Sequence, residues 1–406
     1  MGQVILAGTS SNGKLLKSTD DGQTWSDLGQ PGSTGQTSIY SLETLDNGVV
    51  LAGTHPNAKI LRSTDGGTNW TDLGSPGGRN FLNSITDLGS GIVLATAVGN
   101  AGGANLLRST DYGATWSDLG SQGAGYLFDV IDVGSGIALL CQGGSPIIKR
   151  STDYGQTWTN VKTLTGAISA RSLGYLGNGV ALCGTNSNGA IWRSTDYGAT
   201  WSNLGTQFAQ SYMYGFCTVS NSIGLVGTAG SGLILRSTNS GASWSNLGTQ
   251  YSQTAIYDIV LLASGTLLAG TTPGGRILRS VDDGLTWSDI GQQFSENTIY
   301  ALTAVLVDGF TVSLQYKQAG GAFANVTGSL GDVGADMGTG SKTCYWDDPS
   351  QDRNNVEISD AQVQLTLVPD GENSETHTAN ITSVTQLTTG DGTGAQGDVK
   401  VEYEIT

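Results

Sequence analysis

The sequence predicts an all-β protein: a seven-bladed β-propeller over residues 1–308, followed by a small acidic β-sandwich over 309–406. Three observations lead there. An eight-residue phrase, Ser-Thr-Asp-x-Gly-x-Thr-Trp, recurs seven times at intervals of 45, 46, 42, 43, 43 and 43 residues. That period suits a four-stranded blade, which takes roughly 40–50 residues. Glycine supplies 62 of the 406 residues while charged side chains are only 13%, a composition of tight turns between short strands. The charge also changes along the chain, since most of the net −16 falls in the last hundred residues.

The blade elements read in order from one repeat. Ile256 to Leu262 is a first strand, ended by Ala263-Ser264-Gly265. Thr266 to Thr271 is the second, closed by Thr272-Pro273-Gly274-Gly275, and Arg276 to Ser280 is the third. The turn Asp282-Asp283-Gly284 leads to the fourth, Thr286 to Ile290. Short apolar or β-branched runs punctuated by glycine turns are the expected strand signal. The array starts out of phase: Val4-Ile5-Leu6-Ala7-Gly8-Thr9 matches the second strand Val49 to Thr54. The missing first strand reappears after the seventh phrase as Ile299-Tyr300-Ala301-Leu302, which matches Ile39-Tyr40-Ser41-Leu42. A ring closed by strand exchange follows, leaving no open sheet edge at the ends of the array.

The repeated phrase resembles the Asp box of the bacterial neuraminidase repeat, found in sialidases and other propeller proteins. The resemblance implies a turn between third and fourth strands at the blade periphery, away from the central site. Residue chemistry agrees with a scaffold role. Asp20 can accept backbone N–H bonds, Gly22 admits positive φ, and Trp25 can cap the space between blades. Copies vary as a scaffold allows, with Asn239 in place of the Asp and the second Thr displaced to Thr68.

A sialidase-like activity would need an arginine triad, a Tyr/Glu pair, an acidic acid/base and an Arg-Ile-Pro signature. No Arg-Ile-Pro occurs. Arg62, Arg108, Arg150, Arg193, Arg236 and Arg279 each precede a box, with Lys17 in the same slot, so they read as blade features pairing with acidic neighbours at the rim. That leaves Arg79, Arg171 and Arg276 as position-specific. Glu43 and Glu296 are the array's two glutamates, and Asp87, Asp129, Asp132 and Asp258 are aspartates outside the boxes. A glycosidase needs two carboxylates about 5–10 Å apart, which sequence alone does not place. No catalytic residue is assigned.

Binding is the expected role, carried by loops that vary on a constant scaffold. The candidate ligand contacts are Arg79, Phe81, Tyr126, Arg171, Phe208, Tyr212, Tyr251, Arg276, Phe294 and Glu296, a mix of aromatic and polar groups that suits sugar rings. Phe208, Tyr251 and Phe294 share one slot in consecutive blades and read equally as packing residues. The two histidines and four cysteines show no metal-ligand spacing, so no metal or cofactor is expected. Cys141, Cys183 and Cys217 read as buried free thiols.

In residues 309–406, Thr311–Tyr316, Val363–Val368 and Val399–Ile405 alternate as strands, and 328–341 and 388–397 read as glycine-rich loops. Asp347, Asp348 and Asp352 match no calcium loop and read as solvated acids. The pI near 4.3 argues against nucleic acid, and no apolar run is long enough to span a membrane. No signal peptide is apparent at the start of the sequence. The expectation is a non-enzymatic virion structural protein of tail-fibre, head-fibre or decoration type, at the exposed particle surface. It would bind a host-surface receptor, a glycan, through the propeller loops. Residues 309–406 would dock onto other virion structural proteins, and a homo-oligomer is compatible with this. The alternatives are an exo-glycosidase of sialidase-like type and an assembly-factor propeller for a larger complex.

Overall fold

The computed structural model describes residues 3–32, 35–99, 103–123 and 125–305 with their side chains, and the backbone of strands between 310 and 405. The chain divides into two compact units, Gly2–Val305 and Leu306–Thr406. Every regular element described is a β-strand, and all strand pairing is antiparallel.

Gly2–Val305 is built from four-strand meanders. Ser38–Thr44, Val50–His55, Ile60–Ser63 and Thr71–Asp72 form one sheet, and Phe81–Asp87 to Ser117–Ser121 form another. Four further meanders between Tyr126 and Gln292 join into a sixteen-stranded sheet through single-pair bridges such as Asn186 to Tyr212. The remaining sheet combines both ends of the unit. Ile299–Val305 lies beside Val4–Thr9, in register from Val4 opposite Val305 to Gly8 opposite Ala301. First strands lie against one another in succession, and Ile299–Val305 contacts both Ala255–Leu261 and Ser38–Thr44.

Burial explains the sequence pattern. Second strands such as Val4–Thr9, Val93–Val98 and Ala138–Gly143 are buried at every position, being covered on both faces by neighbouring sheets. They therefore read as continuous apolar runs. The core lies between sheets: Ile5, Ala7 and Leu16 pack with Leu262, Leu268 and Ile277 and with Ile299 and Leu302, and Trp25 covers this cluster. A Cβ at Gly8 would sit 2.7 Å from Ile39 of the next sheet, so the recurrent glycine of the second strand marks where two sheets approach most closely. Fourth strands are exposed edges, short and polar, as in Ser26–Gly29.

The boxes form one hydrogen-bonded turn. Ser18 Oγ donates to Asp20 Oδ1 at 2.8 Å and accepts from Gly22 N at 3.0 Å. Asp20 then accepts from Thr24 N at 2.9 Å and Thr24 Oγ1 at 2.6 Å, and Trp25 Nε1 donates to Gly22 O. In the second copy Asn69 replaces the Thr, giving Asp65 one bond from its backbone and one from its amide. Each box glycine rests on a leucine of the preceding sheet: Gly67 on Leu6, Gly113 on Leu51, and Gly22 on Leu268.

The arginines before the boxes correct the expected acidic pairing. Arg62 Nε donates to Tyr112 O, Arg108 to Tyr154 O, Arg150 to Tyr197 O, Arg193 to Ser240 O and Arg236 to Asp283 O, at 2.8–3.0 Å. Each acceptor belongs to the next box and has positive φ, which turns its carbonyl outward to the arginine. Backbone carbonyls, not carboxylates, hold these guanidinium groups.

In Leu306–Thr406, Phe310–Lys317 pairs with Gln362–Pro369 over its whole length, and Gly340–Trp346 pairs with Val399–Ile405. The strands fall into two four-stranded sheets. The expected glycine loop over 328–341 is corrected: it contains strands Ser329–Gly331 and Gly334–Met337 and the start of Gly340–Trp346. Glycine does not bar a residue from pairing when neighbouring strands fix its backbone. Asp347, Asp348 and Asp352 lie outside the described residues, as does the 388–397 loop.

Candidate functional site

Every first strand of Gly2–Val305 carries a β-bulge. The register slips between Ile39 and Ser41, Leu82 and Ser84, Leu127 and Asp129, Ala170 and Ser172, Met213 and Phe216, and Ile256 and Asp258. It slips again opposite Gly8 and Thr9, between Ile299 and Ala301. The residues set free are Tyr40, Asn83, Phe128, Arg171, Tyr214, Tyr257 and Tyr300, with Gly215 beside Tyr214. A bulge re-aims its extra side chain out of the alternating pattern, and such positions cluster at binding sites.

These side chains meet in a girdle. Tyr40 stacks on Tyr300 with centroids 4.5 Å apart, and Tyr257 lies 4.9 Å from Tyr300 and 4.8 Å from Tyr214. The Arg171 guanidinium continues the girdle, 5.0 Å from the Tyr214 centroid and 4.4 Å from that of Phe128. Asn83 donates to Leu127 O at 2.9 Å. A second tier stands two residues earlier on the same strand faces. Tyr126 stacks on Phe128, Tyr212 on Tyr214, and Phe81 lies against Tyr40 and stacks on His55. Tyr126 and Tyr212 are each 38% exposed, so the outer tier presents ring surface to solvent. Burial raises the hydroxyls of Tyr257, to about 12, and Tyr300, and neighbouring tyrosines push the same way.

Carboxylates on the same strands serve the scaffold. Asp129 accepts from Ser84 Oγ at 2.8 Å and from Leu173 N at 2.9 Å, tying three successive first strands together. Asp258 accepts from Ile259 N and from Leu302 N of the next first strand. Glu43 accepts from Asp87 N at 3.0 Å. Burial pushes Asp129 and Asp258 up to about 6 and Glu43 up to about 8, and the charges of Asp129 and Asp258 reach one another and Glu43. Asp87 and Asp132 are raised for the same first reason.

Of the sequence candidates, the structure brings Phe81, Tyr126, Arg171 and Tyr212 into this assembly. Arg79 instead bonds Asn105 Oδ1 at 2.7 Å and packs beside Gly99 and Gly103. Arg276 is not position-specific: it pairs with Asp289 as Lys14 pairs with Asp27 and Lys59 with Asp72, a recurring link from third to fourth strand. Phe208, Tyr251 and Phe294 sit at left-handed turn positions away from the girdle contacts, with φ of 51°, 49° and 47°, each more than 40% exposed. Tyr251 commits its hydroxyl to Trp287 O at 2.6 Å. Glu296 is fully buried, with Oε1 taken by Asn12 and facing Lys14, and Oε2 without a partner.

Sequence reasoning missed Tyr40, Phe128, Tyr214, Tyr257 and Tyr300 as site residues. Their signal was present as an aromatic directly after an apolar residue near the start of five first strands, as in Ile39-Tyr40, Ile256-Tyr257 and Ile299-Tyr300. Alternation assigned that aromatic to a strand face, and only the bulge frees it. Cys141, Cys183 and Cys217 are buried free thiols whose ionisation burial opposes. Among the described residues, no helix is long and apolar enough to cross a membrane.

No family model and no curated protein matches the chain. Solved structures do. YCF48 bound to D1 peptide superposes with a TM-score of 0.53 at 19% identity, over 69% of this chain and 93% of that one. Streptogramin B lyase gives 0.54 at 16%, over 64% and 83%. The GH74 xyloglucanase from Xanthomonas campestris gives 0.52 at 15%, over 91% of this chain and 66% of its own. These neighbours are β-propeller proteins, and the all-β antiparallel sheets here fit that fold. They include both enzymes and a peptide-bound protein, so the likeness speaks for the fold alone.

Proposed function

We propose that Gly2–Val305 is a seven-bladed Asp-box propeller closed by strand exchange, and that it is a non-enzymatic binding protein. Its ligand is a glycan on a host surface, held at the aromatic girdle and its exposed outer tier. The pairing of Val4–Thr9 with Ile299–Val305 supports closure. Hydrogen exchange tests it: amides of both strands should open together with the core, and fast independent exchange of Ile299–Val305 would reject the closed ring.

One observation carries the binding reading: a bulge in every first strand releases a side chain, and five of these seven are aromatic. A scaffold needs no such repetition of re-aimed rings. Aromatic faces rimmed by hydroxyls are what a pyranose ring stacks on. Screening the protein on a glycan array, with Tyr126→Ala and Tyr212→Ala beside it, gives the test. A hit that both substitutions weaken supports the reading; a hit untouched by them moves the site elsewhere.

The virion setting rests on composition and on the acidic unit after residue 308. Quantifying the protein in purified particles decides it, with absence from particles favouring the assembly-factor alternative. A glycosidase reading draws on the raised carboxyls of Glu43, Asp129 and Asp258. Against it, both oxygens of each aspartate are spent: Asp129 bonds Ser84 and Leu173 of the strands on either side, and Asp258 bonds Ile259 of its own strand and Leu302 of the next. Turnover of fluorogenic glycosides, lost in Asp129→Asn and Glu43→Gln, would reverse that choice.

A further inference from the structure

Gly2–Val305 contains nine arginines, and among the described residues eight are committed. Arg79 bonds Asn105, Arg276 pairs with Asp289, and the six before the boxes donate to backbone carbonyls. Arg171 is the exception. It has no hydrogen bond or ion pair from its guanidinium within the described residues, although it is partly buried. What holds it is the pair of ring faces of Phe128 and Tyr214. Asp129 feels its charge but has both oxygens occupied by Ser84 and Leu173.

A guanidinium in water turns freely and loses rotamer entropy when it binds. Here the two rings already hold the planar group, while its N–H donors remain unspent. Such a fork matches a carboxylate or sulfate, which takes two parallel hydrogen bonds. Arg171 also occupies the bulge position that five other first strands give to an aromatic, so the exchange alters the girdle at one point only.

We propose that Arg171 is an anion anchor in the girdle, and that the ligand is an acidic saccharide whose carboxylate or sulfate group it receives. This rests on the girdle being the glycan site. Long-range charge opposes such binding, since the chain carries −16 overall. Retention of an acidic saccharide therefore has to come from a local site.

The test is calorimetric titration of the full chain with matched probes: oligogalacturonate against its carboxyl-reduced form, and dextran sulfate against dextran. These pairs separate carboxylate from sulfate. Arg171→Met keeps a side chain between the two rings without charge, and Arg171→Lys keeps charge without the fork. The expected result is binding of one acidic probe at least about tenfold tighter than its neutral partner, lost in Arg171→Met and weakened in Arg171→Lys. If Arg171→Met does not fold, the lysine variant alone decides. Equal binding of acidic and neutral probes, or acidic binding that survives both substitutions, overturns the anchor and leaves the girdle reading standing. Binding of neither member of either pair overturns both.

Discussion

Arg279 Nε donates to the backbone carbonyl of Asp21 at 3.0 Å, across 258 residues of sequence. It is the same bond that Arg62, Arg108, Arg150, Arg193 and Arg236 make to the box following their own, so the last box is tied to the first as each is tied to its successor. Lys17 is the one departure, in the slot facing the second box.

Lys17→Arg should therefore supply the missing seam bond, with Gly66 as the equivalent carbonyl. The expected gain is about 1 kcal/mol, read as a rise of about 2 °C in melting temperature. Arg279→Lys should lose a similar amount. Equal melting of Lys17→Arg and the natural chain would mean that the first seam is already satisfied otherwise.

Gly67 shows why the box cannot accept a side chain. Its φ is +81°, and a Cβ would lie 2.4 Å from Leu6 Cδ1 in the neighbouring sheet. Gly67→Ala combines backbone strain with overpacking and should cost about 2–4 kcal/mol by denaturant unfolding. Gly29 also has positive φ, but open space around it, so Gly29→Ala should cost about 1 kcal/mol.

Glu296 takes the turn position of Gln210 and Gln253. Those glutamines donate Nε2 to the carbonyls of Phe208 and Tyr251 at 3.0 Å, whereas Glu296 presents an oxygen with no partner. Glu296→Gln can make the corresponding bond to Phe294 O. It should stabilise by about 1 kcal/mol, and the reverse change Gln253→Glu should destabilise by at least as much. A destabilised Glu296→Gln would assign the carboxylate a role with Lys14 that outweighs its open valence.

Stability should peak in mildly acidic solution. Burial holds Glu43 up near 8 and Asp129 and Asp258 near 6, so folding favours their protonated forms. That contribution is complete below the ordinary carboxylate range and is lost as pH rises through 6 to 8. Box aspartates work the other way. Burial would raise Asp20, Asp65, Asp111 and Asp196, but bonds from hydroxyls, amides and backbone N–H groups prevail and hold them low, with Asp153 at about 2. Their contribution is present above about pH 4 and lost as pH falls through these low values. Glu43→Gln should leave the unfolding midpoint at pH 5 nearly unchanged and raise stability at pH 8 by on the order of 2 kcal/mol. Identical pH profiles for Glu43→Gln and the natural chain would count against this account.

Within Gly2–Val305 the sequence by itself determined the strands, their antiparallel meanders and the phase at which the array begins, while the strands between 329 and 341 were read as a glycine loop. Each follows from local chemistry repeated in register: Asp20, Gly22 and Trp25 specify a turn wherever they recur, and buried second strands read as unbroken apolar runs. The pairing of Val4–Thr9 with Ile299–Val305 was legible for the same reason, since a missing strand type at one end matched a surplus at the other. The girdle was not legible. Tyr40, Tyr257 and Tyr300 look like ordinary strand residues until a bulge in each first strand turns them toward one another. Arg276 and Arg171 looked alike in sequence, yet an aspartate on the adjacent strand takes the first while two rings hold the second with its donors open. A side chain's partners come from strands dozens to hundreds of residues away, and only the tertiary structure decides them.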